Sequence, residues 1–239
     1  MFCLMLIQQV FAQSWVGIKY TGGFPGRRVF SRGIEYCNGL NIERFSTNIL
    51  GEDAGVHDWR FGFQADFIAG NGIKKDYQFP GITPATQTLQ VTSFAVGAML
   101  STRYTFLKTS WHPYGEFSVG VRNFTSTLDI AKDTRDHIQY VSNQSYTSYC
   151  LGTGFMYDLT DDIKFDFGIT YNIGKKVDLY DFNSVYANGG TLYATAVKSG
   201  TSSLQFEAGF VFNVRRQYNN RSIFRNLGTG NSLLELLLF

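Results

Sequence analysis

Residues 145–174 read SYTSYCLGTGFMYDLTDDIKFDFGITYNIG, and the second half alternates without a break. Ile163, Phe165, Phe167, Ile169, Tyr171 and Ile173 fall on one face, with Lys164, Asp166, Gly168, Thr170 and Asn172 on the other. A period of two over this length is a β-strand with one apolar and one polar face. The first half runs back in the same way, with Tyr149, Leu151, Phe155 and Tyr157 opposite Ser148, Cys150, Gly152 and Gly154. Leu159-Thr160-Asp161-Asp162 joins the halves as a tight turn, so the stretch is an antiparallel hairpin.

Six further segments carry the pattern: 14–23, 33–45, 59–70, 91–106, 113–124 and 203–214. With the hairpin they predict eight strands. Residues 46–58, 71–90, 125–144 and 174–203 read as loops. Most long connections follow odd-numbered strands and most short ones follow even-numbered strands, with 46–58 as the exception. Long loops at one end and tight turns at the other predict an all-β fold, an eight-stranded antiparallel up-and-down barrel.

Composition agrees. The chain of 239 residues holds 25 Gly, 22 Phe and 14 Tyr but 4 Pro and 17% charged residues, which favours strands over helices or disorder. A net charge of +2 and the lack of a dense Lys/Arg cluster argue against a nucleic-acid partner. There is no run of 18 apolar residues to make a transmembrane helix. Residues 1–12, MFCLMLIQQVFA, read as a signal peptide for export, and 215–239 as a short periplasmic tail beyond a barrel of 13–214.

The polar faces share one property. Lys19, Glu35, Glu43, Arg60, Asp66, Arg103, Glu116, Arg122, Lys164, Asp166 and Glu207 all lie on them, and small residues separate them. Alternation alone allows two arrangements, a soluble barrel with apolar residues inside or a membrane barrel with lipid outside and charge inside. Three features favour the membrane: small residues between the charges suit a narrow, crowded interior, the leader exports the chain, and Trp15, Trp59 and Trp111 cluster at the tight-turn end, where they are expected as membrane-interface aromatics.

The hairpin GTGFMYDLTDDIKFDFGITYNIG (152–174) resembles the penultimate hairpin of small outer-membrane β-barrels, the outer-membrane protein A-like transmembrane barrel and its porin-family relatives. SLQFEAGFVFNV (203–214) resembles their closing strand. The resemblance implies fold and a bacterial outer-membrane location much more than an activity. No C-terminal peptidoglycan-binding domain is expected after the barrel, a departure from outer-membrane protein A itself.

The expected function is therefore structural or interactive. The interior would be a closed lumen charge network, with a small porin or channel as the first alternative and a barrel-embedded lipid-modifying enzyme as the second. No catalytic centre, cofactor or metal is expected. Of the histidines, His57 and His112 lie at the turn end without metal-ligand spacing, and His137 is the one in an outer loop, followed by Ser142 and Ser145. Cys37 and Cys150 both point inward by parity, on strands half a barrel apart, which predicts two free thiols. Expected partners are outer-membrane lipid or lipopolysaccharide, and envelope proteins met through the outer loops or the tail.

Overall fold

The computed structural model describes residues 13–25, 34–46, 57–72, 74–79, 86–106, 110–131 and 137–215. The expected signal peptide and residues 216–239 of the expected tail lie outside the described residues. In chain order the strands are β1 (Gln13–Pro25), β2 (Ile34–Ser46), β3 (His57–Gly72), β4 (Lys74–Gln78), β5 (Thr86–Phe106), β6 (Trp111–Ala131) and β7 (His137–Asp158). They continue with β8 (Ile163–Ile173), β9 (Lys176–Leu179), β10 (Val185–Asn188), β11 (Thr191–Ala194), β12 (Val197–Gly200) and β13 (Ser203–Arg215).

Eight of them close a ring. Around it the order is β3, β2, β1, β13, β8, β7, β6 and β5, and β5 pairs back onto β3 from His57↔Phe106 to Gly70↔Ser93. Every neighbour is antiparallel. Closure removes the exposed edges that would otherwise template aggregation or leave backbone groups unpaired in lipid. The 159–162 turn is set by Thr160, whose Oγ1 accepts from the backbone N–H of Asp162 (3.3 Å) and of Ile163 (3.1 Å). That turn lies at the end where β1 begins and β13 finishes, since Gln13 is level with Arg215 and the Asn213 N–H donates to Asp162 O at 2.9 Å.

In the ring the faces are inside out. Phe61, Phe63, Phe67, Leu100, Phe117, Leu151, Ile169 and Phe210 point outward and are exposed, while the alternate positions are buried. On β6 this outward apolar run extends from Trp111 to Val121. A tilted strand needs about 9–11 residues to cross the hydrocarbon of a bilayer.

Three strands continue past the ring, and there the faces exchange. On β6 the buried side passes from Glu116, Ser118 and Arg122 to Leu128 and Ile130, while the outward side becomes Asn123, Thr127 and Asp129. On β5 it becomes Leu89 and Val91. Above the ring these strands thus obey the rule for a protein in water. The reading of 71–90 and 125–144 as loops is corrected here: β4 and the ends of β5, β6 and β7 occupy much of them, because the chain stays extended when its polarity pattern changes phase.

The segment read as a loop at 174–203 is also built of strands. β9 pairs with β12 and β10 with β11, and a short 3₁₀ turn lies at Phe182–Ser184. The β10–β11 hairpin turns at Gly189 (φ 58°) and Gly190 (φ 79°), two positive values that suit the right-handed twist of its strands. Leu89, Val91, Leu128, Ile130, Phe182 and Leu192 form an apolar core between this segment and the risen wall. The outer end of the barrel therefore carries a folded cap.

Candidate functional site

The inward side chains fall into tiers. Nearest the turn end lie Trp15, Asp58, Arg60, His112, Asp158 and Lys164. Arg60 pairs with Asp58 and Lys164 with Asp158, while His112 Nε2 lies 2.6 Å from Asp158 Oδ2. Both cations also sit 5.1 Å over the Trp15 ring.

The middle tier is the most heavily bonded. Arg103, on β5, reaches Glu116 Oε2 on β6 at 2.6 Å, Glu43 Oε2 on β2 at 2.9 Å and Asp166 Oδ2 on β8 at 3.1 Å. Its guanidinium is held between two rings, 4.3 Å from the Tyr114 centroid and 4.4 Å from that of Phe45. Lys19, on β1, meets Glu43 and Asp166 at 2.9 Å each and Glu207 on β13 at 3.6 Å. Gln64 donates to Glu116, and Tyr114 donates to Asp166 Oδ1 at 2.7 Å. Burial of this many charges is tolerable because nearly every one meets opposite charge and hydrogen-bond partners.

Higher still, Arg122 Nε donates to Asp66 Oδ2 at 3.0 Å, and its Nη1 donates to Asn172 Oδ1 (2.6 Å) and Ser148 Oγ (3.1 Å). Above it a cavity of about 60 Å³ is lined by Cys37, Ser93, Tyr146 and Gln205 and roofed by Leu179 and Thr201 of the cap. That is room for about two water molecules. The roof is fastened to the wall: Ser142 Oγ donates to Asp178 O (2.8 Å), Gln144 Nε2 to Asp178 Oδ2 (2.8 Å) and Tyr140 OH to Leu192 O (3.0 Å).

Of the eleven charged residues singled out from sequence, Lys19, Glu43, Arg60, Asp66, Arg103, Glu116, Arg122, Lys164, Asp166 and Glu207 are buried in the lumen. The Glu35 side chain lies outside the described ones. Asp58 is buried with them and the half-exposed Asp158 closes the turn end against Lys164, so among the described side chains five bases meet seven acids, and the surplus of two lies in the middle tier. The tryptophans divide. Trp59 and Trp111 point outward, 38% and 53% exposed, but Trp15 is 8% exposed and lies inside. Its expected place at the bilayer interface is corrected by parity: Ile18 and Tyr20 face out, so Trp15 shares the inner face with Gly17 and Lys19.

Sequence reasoning missed Tyr114, Gln64, Asp58 and Asp158. Tyr114 had a usable signal, since it shares parity with Glu116 on a strand that pairs with Gly152-x-Gly154. Cys37 and Cys150 are free and buried on strands half a ring apart. The His137 side chain lies outside the described ones; Ser142 is engaged with the cap, and Ser145 Oγ accepts from Asn123 Nδ2 at 3.2 Å. Among the described residues no group of three His, Cys, Asp or Glu is arranged to hold a metal ion.

No family model and no curated protein matches the sequence. Solved structures give likenesses of low identity. The chain is similar to a major outer membrane protein from Thermus thermophilus (12% identity, TM-score 0.48, covering 84% of this chain and 99% of that one). It is also similar to the outer membrane protein OprG from Pseudomonas aeruginosa (11%, TM-score 0.47, 84% and 95%) and to Neisserial surface protein A (15%, TM-score 0.44, 83% and 96%). TM-scores this low carry no argument about function. The chain's own geometry carries the assignment: a closed ring, an apolar belt turned outward at bilayer height, and charge enclosed within. By that geometry the protein is a small eight-stranded antiparallel β-barrel of the inside-out, membrane-spanning kind.

Proposed function

We propose that the barrel is sealed and that its work is structural or interactive, with the folded cap as the surface offered to envelope or external partners. The carrying observation is Arg103, which joins four strands across the lumen by bonding Glu43, Glu116 and Asp166 at once. Lys19 extends that tier to β1 and β13. A tier that crosses from wall to wall leaves no continuous water path, and eight strands enclose an interior that side chains fill. The cap adds a second closure over the outer mouth and displays Tyr186 and Tyr193, stacked at 5.8 Å and exposed.

Planar-bilayer recording of the purified barrel tests this reading. Sealed barrels give no steady conductance, and steady open steps would overturn the proposal. One observation favours a second reading: the surplus of two acids in the lumen would make any residual leak cation-selective. Reversal potentials in a KCl gradient would register that selectivity. For the interactive role, replacing 175–202 by a short Gly/Ser turn is expected to abolish surface binding while the barrel still folds; unchanged binding would remove the cap from the account.

A further inference from the structure

Where β8 leaves the bilayer it ends on the lipid-facing Tyr171 and Ile173, and β13 enters beside it on the lipid-facing Leu204. The chain between them does not turn at once. Lys175 O accepts from the Thr201 N–H at 3.2 Å, Lys176 lies opposite Gly200 and Asp178 opposite Lys198, so β9 and β12 prolong the β8–β13 ladder past the rim. One face of the prolongation, carrying Val177, Leu179 and Ser199, is buried toward the mouth. The other face carries Lys176 and Lys198 as diagonal neighbours, both exposed, with exposed Lys175 at the base.

Among the described residues none of these three lysines forms an ion pair, and Asp178, the acid on their face, accepts from Gln144 Nε2 at 2.8 Å. At the rise of a strand, Lys176 stands about 10 Å beyond Ile173. That is where hydrocarbon gives way to the head groups of a leaflet, and cations there meet lipid phosphates. Past the ring, the wall formed by β5, β6 and β7 carries Thr88, Gln90, Asn123, Thr127 and Asn143 outward, with Asp129 as the charged residue among them. Exposed lysines also stand on β4, where Lys74 is level with Gln90 and Asp129, so what sets the β8–β13 sector apart is three lysines close above the lipid-facing Tyr171, Ile173 and Leu204.

We propose that Lys175, Lys176 and Lys198 form a site for the phosphate-bearing head group of an outer-leaflet lipid, whose acyl chains lie on Tyr171, Ile173 and Leu204. The site depends on the membrane location and the outward cap, and it stands whether or not the lumen conducts. Native mass spectrometry of the folded barrel in detergent tests it, with a bis-phosphorylated, acylated glucosamine disaccharide lipid and its phosphate-free form as probes. Wild type is expected to prefer the phosphorylated lipid. Each Lys→Ala change is expected to reduce that preference about fivefold, and the triple variant K175A/K176A/K198A on the order of a hundredfold. The triple Lys→Arg variant and the double variant K74A/K75A, at the exposed β4 lysines, are expected to keep it. Equal preference in the triple Ala variant and wild type would overturn the site. Displacement of the lipid by millimolar inorganic phosphate would overturn the lipid as its occupant.

Discussion

Tyr114 shows how single residues close this interior. It leans from β6 across two glycines that face each other on β7 and β8, Gly154 and Gly168, to reach Asp166. A Cβ on either glycine would lie 2.6 Å from the Tyr114 hydroxyl. Gly154→Ala or Gly168→Ala is therefore expected to cost about 1–3 kcal/mol by overpacking. Urea titration of the refolded barrel in vesicles checks this, and Y114F should separate the two. It relieves the crowding in Gly168→Ala, where the ring carbon bearing the hydroxyl is 3.7 Å away, but not in Gly154→Ala, where that carbon (2.7 Å) and the still closer Phe167 carbonyl oxygen crowd the site as well. Arg103 carries the larger penalty. Removing it by R103M leaves Glu43, Glu116 and Asp166 with one fewer cation, at a cost of about 3–5 kcal/mol. R103K is expected to recover only part of this in the same titration, since an ammonium cannot reproduce the three-way fork or the stacking between Phe45 and Tyr114.

Whole elements were legible in the sequence wherever one face stayed apolar from end to end. Ile163 to Ile173 is such a strand, and its reading as half of a hairpin with the 149–157 run holds to the residue. β5, β6 and β7 are longer than alternation suggested because their apolar parity slips where they leave the membrane. On β6 Phe117, Val119 and Val121 are odd-numbered, whereas Phe124, Leu128 and Ile130 are even-numbered. A strand that passes from lipid to water must exchange its faces, and a search for one continuous apolar face stops at the exchange. Cap strands of four residues are too short to show a period at all. The cap should also behave as a separate unit, since its core is distinct from the lumen tiers. Leu192→Ala, which empties a fully enclosed position there, is expected to speed proteolysis within 175–202 while leaving the urea midpoint of the barrel unchanged.

At the scale of the molecule, one arrangement organises the rest: charge inside and apolar side chains outside in the ring, then the reverse in the cap. The list of lumen charges could be drawn from sequence because parity alone fixes the face. Their mutual contacts could not, since which tier a residue joins depends on strand tilt and register around a closed ring. Trp15 illustrates the same limit from the other side, because its height along the barrel suggested an interface and its parity placed it in the lumen. The arrangement makes a sharp statement about solvent, and site-directed spin labelling along β5 tests it most directly. With Cys37 and Cys150 replaced by Ser, single labels are placed from 88 to 102 in the vesicle-reconstituted protein, and their access to oxygen and to a water-soluble nickel complex is measured. The outward positions Phe94, Val96, Ala98 and Leu100 should be reached by oxygen and shielded from nickel, and this should reverse at Thr92, Gln90 and Thr88. Nickel access at every outward position would contradict a membrane barrel, and lipid exposure that continued unchanged to Thr88 would contradict the exchange of faces.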